Sequence, residues 1–199
     1  MRLVCKKVNN RKQIRLKNYD YSVNGAYFVT ICTYEKKCIF GYVKDEKIHL
    51  SGYGIIANEE IENTIKIRQK YGVKINKYVV MPNHVHLIIE LAKESNESDV
   101  GTRRAVSAEK HNVFSKPVPQ SISTIVGAYK SAVTRRINLM EGHGTPCPYE
   151  KSDIHRIWQS RFHDHIIRTQ KDYDRIWEYI DTNPIKWKFD KYYTEQIAI

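Results

Sequence analysis

Residues 79–91 run Val-Val-Met-Pro-Asn-His-Val-His-Leu-Ile-Ile-Glu-Leu. So dense a run of aliphatic side chains has to be buried, and its Val and Ile content favours extended chain over helix. The pattern predicts a strand from about Ile75 to Leu91. Within it His84 and His86 stand two positions apart, and alternate side chains of a strand leave the same face. Two imidazoles are thereby fixed side by side on a rigid support, which is half of a metal site. With eight histidines in the chain, such a pair has a plainer reading as ordinary satisfied residues. It gains meaning only if another segment brings a third ligand and a reactive group.

The 199 residues are enough for a sizeable core and read as a single domain over 1–199. No apolar stretch reaches the length of a membrane span, and Met1–Lys7 lacks the apolar core of a secretory signal. Cys5, Cys32, Cys38 and Cys147 show no C-x-x-C spacing, so free thiols in a reducing cytoplasm are expected. A net charge of +11 points to a polyanionic partner, with nucleic acid the first candidate and a nucleoid-associated location implied. The charge is uneven: Arg2, Lys6, Lys7, Arg11, Lys12, Arg15 and Lys17 fall in residues 1–17 without one acidic residue. Residues 1–20 read as a basic arm able to follow phosphates through Arg11, Lys12 and Arg15. Lys130, Arg135 and Arg136 add charge on a helix. A solubilising tail and a solvated helix face are the plainer alternatives.

Tyr27–Thr33 is rich in β-branched and aromatic residues and reads as a buried strand, with shorter strands near 38–43 and 47–50. Gly52 and Gly54 punctuate, and a helix over 55–71 stops at Gly72. Residues 92–120 lose periodicity and read as a loop insertion. Ser121 or Ser123 caps a helix through about Asn138, with Ile122, Val126, Tyr129, Val133 and Ile137 on one stripe. Residues 141–148 form another loop. Ile157–Arg168 resembles a strand, and Thr169-Gln170-Lys171-Asp172 opens a last helix that ends at Asn183-Pro184. Strands and helices in this order predict an α+β fold, a ferredoxin-like antiparallel sheet with helices packed on one face.

The last helix supplies what the histidines lack. Tyr179 and Asn183 are four residues apart and share a face, at the edge of a buried stripe of Ile176, Trp177 and Ile180. A phenol there is able to attack a DNA phosphodiester, storing the bond as a phosphotyrosine link. Asn183 can bring an amide oxygen to a metal held by His84 and His86. No sequence feature identifies a base for the phenol, whose ordinary pKa is about 10. Tyr129 falls on the apolar stripe of its helix and reads as core. His163-Asp164-His165 is a second His-x-His with polar flanks, read as structural or DNA-contacting.

Val79-Val80-Met81-Pro82-Asn83-His84-Val85-His86-Leu87-Ile88, Ile125-Val126-Gly127-Ala128-Tyr129-Lys130-Ser131, Trp158–Arg168 and Tyr179-Ile180-Asp181-Thr182-Asn183-Pro184, in that order, resemble the REP-associated tyrosine transposases. These are single-tyrosine members of the HUH (His-hydrophobic-His) transposases, and the likeness spans roughly residues 20–190. It implies metal-dependent cleavage and rejoining of single-stranded DNA at hairpins of repetitive extragenic palindromes. A 5′-phosphotyrosine link forms and a 3′ hydroxyl is left. On this chain it implies His84 and His86 as metal ligands, Tyr179 as nucleophile and Asn183 as third ligand, a place held by glutamine in distant relatives. Two imidazoles suit zinc, manganese or nickel better than magnesium, whereas phosphate chemistry and an amide oxygen suit magnesium or manganese, and Mg2+ or Mn2+ is the expected ion.

Two other classes compete. A binding module would grip single-stranded DNA or RNA on a ferredoxin-like sheet without cutting it. A metal-dependent hydrolase would use His84, His86, His163 and His165 with water as nucleophile. The chain itself does not distinguish a monomer from a homodimer.

Overall fold

The computed structural model describes residues 19–92, 119–142 and 156–194. In chain order it contains β1 (Gly25–Cys32), β2 (Gly41–Lys44), β3 (Lys47–Leu50), α1 (Gly52–Arg68), β4 (Val73–Met81), β5 (His84–Leu91), α2 (Ile122–Met140), β6 (His163–Ile167) and α3 (Gln170–Thr182). β4-β5-β1-β6 form one antiparallel sheet, and β2 with β3 forms a separate ribbon. Setting the ribbon aside, the β-α-β-β-α-β path through that order is the ferredoxin-like arrangement.

The aliphatic run is two strands, not the single strand expected over 75–91. Met81 faces His84 across a turn made of Pro82 and Asn83. Proline presets a turn and has no N–H to give a ladder, so the Pro-Asn pair breaks a run that hydrophobicity alone would have continued. Nearly all of β5 is buried, because both faces of the sheet are covered. Tyr27, Val29, Ile31, Val85, Leu87 and Ile89 meet α1 and the Ile122–Ile137 stripe of α2 on one side. Phe28, Val79, Ile88 and Ile167 meet Tyr173, Ile176, Trp177 and Ile180 of α3 on the other. α1 and α2 thus share one face as expected, and α3 adds a second apolar layer. Two-sided burial is why the strand reads as a continuous apolar run instead of an alternating one.

Several boundaries differ from expectation. α1 begins at Gly52, not after the glycines: the Ser51 hydroxyl accepts from Gly54 N at 3.2 Å and caps it. Gly54 is there for space, since a Cβ would lie 2.0 Å from the Phe40 carbonyl oxygen. Gly72, at φ 70°, ends the short turn that follows α1. Ser121 caps α2 and Thr169 caps α3 through its bond from Asp172 N. The strand expected over 157–168 is confined to His163–Ile167, with Trp158 making a lone bridge to Thr33. Trp158 instead fills the core between Phe40 and Tyr129. The basic arm, most of the 92–120 segment and residues 143–148 lie outside the described residues. Among the described residues no helix is long and apolar enough to cross a membrane.

Candidate functional site

The register places His84 opposite Cys32 and Met81, and His86 opposite Thr30 and Val79. Both imidazoles therefore project toward the α3 layer, where no polar solvent reaches them: each is 0% exposed. Their rings lie 4.4 Å apart. The Asn83 Nδ2 donates to the carbonyls of Lys36 and Tyr192, which fixes that amide and turns its Oδ1 toward His84 Nδ1 at 2.8 Å. His84 therefore carries its proton on Nδ1 and presents Nε2 as a bare lone pair. His86 Nδ1 lies 2.9 Å from Thr30 Oγ1. Neither Nε2 has a hydrogen-bond partner among the described residues. Burial holds both rings neutral, pushing His84 down to about 3 and His86 well below the usual histidine range.

α3 delivers Tyr179 and Asn183 to this place. Ile176 and Ile180 anchor the helix on Ile88, which turns Tyr179 over Phe28 and His86, with ring centroids 6.0 and 5.2 Å away. Asn183 is 2% exposed, and its Oδ1, like the two Nε2 atoms, is buried without a partner among the described residues. Sequence reasoning missed the residue that joins them. Asp190, in the irregular segment after α3, accepts from the Tyr179 hydroxyl at 2.6 Å and from Asn183 Nδ2 at 2.7 Å on one oxygen. Its other oxygen accepts from Tyr192 N at 2.6 Å. His84, His86 and Asp190 offer ligand atoms that all lie within 4.8 Å of one another. Burial first, and then the Asp190 carboxylate, raise the Tyr179 phenol well above the ordinary tyrosine value. Trp187 and Tyr192 cover the pair, with centroids 5.8 and 4.7 Å from His84.

Two neutral imidazoles, a carboxylate and an amide oxygen, several of them orphaned in a buried pocket, suit a divalent cation; unpaired polar atoms at such a depth are otherwise costly. The remaining candidates lie apart. Tyr129 is core, its hydroxyl donating to the Ala57 carbonyl at 3.1 Å. α2 packs on the sheet face opposite the histidines, so its cations belong to another surface. There Lys130 donates to the Gln159 carbonyl at 2.5 Å, Arg136 pairs with Glu59 and Glu60, and Arg135 is exposed. Arg11, Lys12 and Arg15 lie outside the described residues. His165 is bound to Asp172 at 2.6 Å.

No protein-family model matches the chain. An uncharacterized protein of Haemophilus influenzae is 32% identical over 188 residues, which cover 94% of this chain and 96% of that protein. The chain belongs to the family of that protein. Among solved structures, a REP-associated tyrosine transposase bound to a REP hairpin aligns with a TM-score of 0.53 and 20% identity, over 89% of this chain and 76% of that one. At that identity the likeness establishes a common fold, the one the four sequence motifs imply.

Proposed function

We propose that this chain is a single-strand DNA nuclease and strand transferase of the tyrosine HUH type, acting at hairpins. The observation that carries this reading is the meeting of Tyr179, Asn183 and Asp190 with the His84–His86 pair in one buried polar pocket. The partner of the aligned transposase, a REP hairpin, and the chain's net charge of +11 support DNA as the substrate.

His84 and His86, with Asp190 and the Asn183 Oδ1 beside them, would hold the ion. A divalent cation, Mg2+ or Mn2+, would supply polarisation and charge neutralisation at a phosphodiester. Tyr179 is kept protonated at rest, and Asp190, already accepting its hydrogen bond, takes the proton as the phenolic oxygen attacks phosphorus. Asn183 holds Asp190 in place from the next turn of the helix. The product is a 5′-phosphotyrosine and a free 3′ hydroxyl, and the reverse step rejoins the strand. Trp187 and Tyr192 stand over the histidines, so DNA enters only when the segment after α3 moves aside.

The test is a 3′-labelled hairpin oligonucleotide incubated with the protein and Mn2+. A denaturant-resistant adduct should form and be absent in Tyr179→Phe. An adduct that persists in that variant removes Tyr179 from its role. Hairpin binding that survives replacement of both histidines, with no covalent product from the wild-type chain, would favour a binding module instead.

A further inference from the structure

The motif His163-Asp164-His165 finds no use in the steps above, yet the sheet aims it at them. Thr30 pairs with His86 on one side and with His163 on the other. Directly opposed residues in an antiparallel sheet point the same way, so His86, Thr30 and His163 form one row facing the α3 layer. β6 lies two strands from β5, about 10 Å across the row. An imidazole on each side of that gap is within reach of one phosphodiester and its bridging oxygens.

The surroundings single out His163. His165 faces the same way but is held by Asp172. His163 is exposed, and its imidazole makes no hydrogen bond to another of the described residues. Its one ring contact there is Tyr192, at 6.4 Å between centroids, and the Tyr192 ring also lies 4.7 Å from His84 and 5.9 Å from His86. Tyr192 thus fills a cleft walled by the histidine pair and by His163. Tyr179 reaches His86 from a different direction, over Phe28. In an in-line displacement the leaving oxygen departs away from the nucleophile, toward the wall that Tyr179 does not occupy.

We propose that His163 is the proton donor to the 3′ oxygen that leaves when Tyr179 attacks, an inference that rests on the nuclease reading. The bond from Tyr179 Oη to phosphorus forms and the bond from phosphorus to O3′ breaks. The phenolic proton goes to Asp190, and the His163 imidazolium gives its proton to O3′ and becomes neutral. On rejoining, neutral His163 takes the proton back from the 3′ hydroxyl as that oxygen attacks the phosphotyrosine. Imidazole is the side chain best suited to carry a proton both ways near neutral pH.

The experiment compares single-turnover cleavage by the full chain of two hairpin oligonucleotides, one natural and one with sulfur in place of the bridging 3′ oxygen at the cleaved bond. A thiolate leaves without a proton. His163→Ala and His163→Gln should slow cleavage of the natural hairpin by about 100-fold or more, and should cut the sulfur substrate within a few-fold of the wild-type rate. Equal losses on both substrates, or no loss on either, overturn the assignment of His163 while leaving the Tyr179 adduct intact. If the wild-type chain forms no adduct with either substrate, the nuclease reading falls first and the role of His163 with it.

Discussion

Asp190 is the residue on which the site turns. It receives hydrogen bonds from the phenol and from the amide of α3, and it completes the cluster with the two imidazoles. Asp190→Asn keeps the shape but removes the proton acceptor. Single-turnover adduct formation should fall by about 100-fold or more, while hairpin affinity measured by gel shift stays close to wild type. Asn83 acts one step further out, by fixing the tautomer of His84. Asn83→Ala should weaken Mn2+ binding by about 10- to 100-fold, read by electron paramagnetic resonance of the free ion. The contrast between these residues marks what was legible in the sequence. His84, His86, Tyr179 and Asn183 sit in regular elements, where periods of two and of about four announce which side chains share a face. Asp190 lies in irregular chain just after the single 3-10 turn Trp187–Phe189, with no period to reveal it, and Asn83 reads in the sequence as the middle of a strand.

Individual elements show how local chemistry and tertiary space compete. An exposed helix interior usually gains up to about 1 kcal/mol when glycine becomes alanine. Gly54→Ala should do the reverse and cost about 1 to 3 kcal/mol, because its Cβ would collide with the Phe40 carbonyl. Urea unfolding would measure this. Ile180→Ala, removing a side chain 1% exposed beneath α3, should cost about 2 to 5 kcal/mol and loosen the seat of Tyr179, so adduct yield should drop along with stability. The stripe of α2 and the caps at Ser121 and Thr169 were readable because each depends on neighbours within one turn. The break at Pro82-Asn83 was in plain view as turn chemistry, yet the surrounding aliphatic residues outweighed it. The length of β6 was not readable, since ahead of His163 the chain keeps only the lone bridge at Trp158, whose ring is placed by distant Phe40 and Tyr129.

At the scale of the molecule, charge and burial set its response to conditions. Tyr129 is buried, and burial first, then Glu60 and Tyr78, raise its phenol far above the ordinary value. A group raised on folding lends its stability in full below the unfolded pKa of about 10 and loses it as pH rises beyond. Stability should therefore decline above about pH 10. Tyr129→Phe should flatten that decline, at a cost near neutrality of about 1 kcal/mol for the bond to Ala57; urea midpoints across the pH series would show both. Removal of residues 1–17, with seven cations and no acid, should reduce the salt dependence of hairpin binding by up to several units in the log–log slope.

β4 carries one feature whose reach is wider than its size. The pairing slips between Ile75 and Lys77, leaving Asn76 as an extra residue whose side chain bonds Glu90 and Tyr173. Before it, odd-numbered Val73 and Ile75 serve the α1–α2 core; after it, even-numbered Tyr78 and Val80 do, and Val79 turns to α3. Parity along the strand is thus reset by counting, not by side-chain chemistry. Excision of Asn76 would therefore set Lys77 directly after Ile75 in unbroken alternation, keeping Tyr78 and Val80 toward the core and Val79 toward α3, so a one-residue deletion there should cost little beyond the Asn76 bonds to Glu90 and Tyr173.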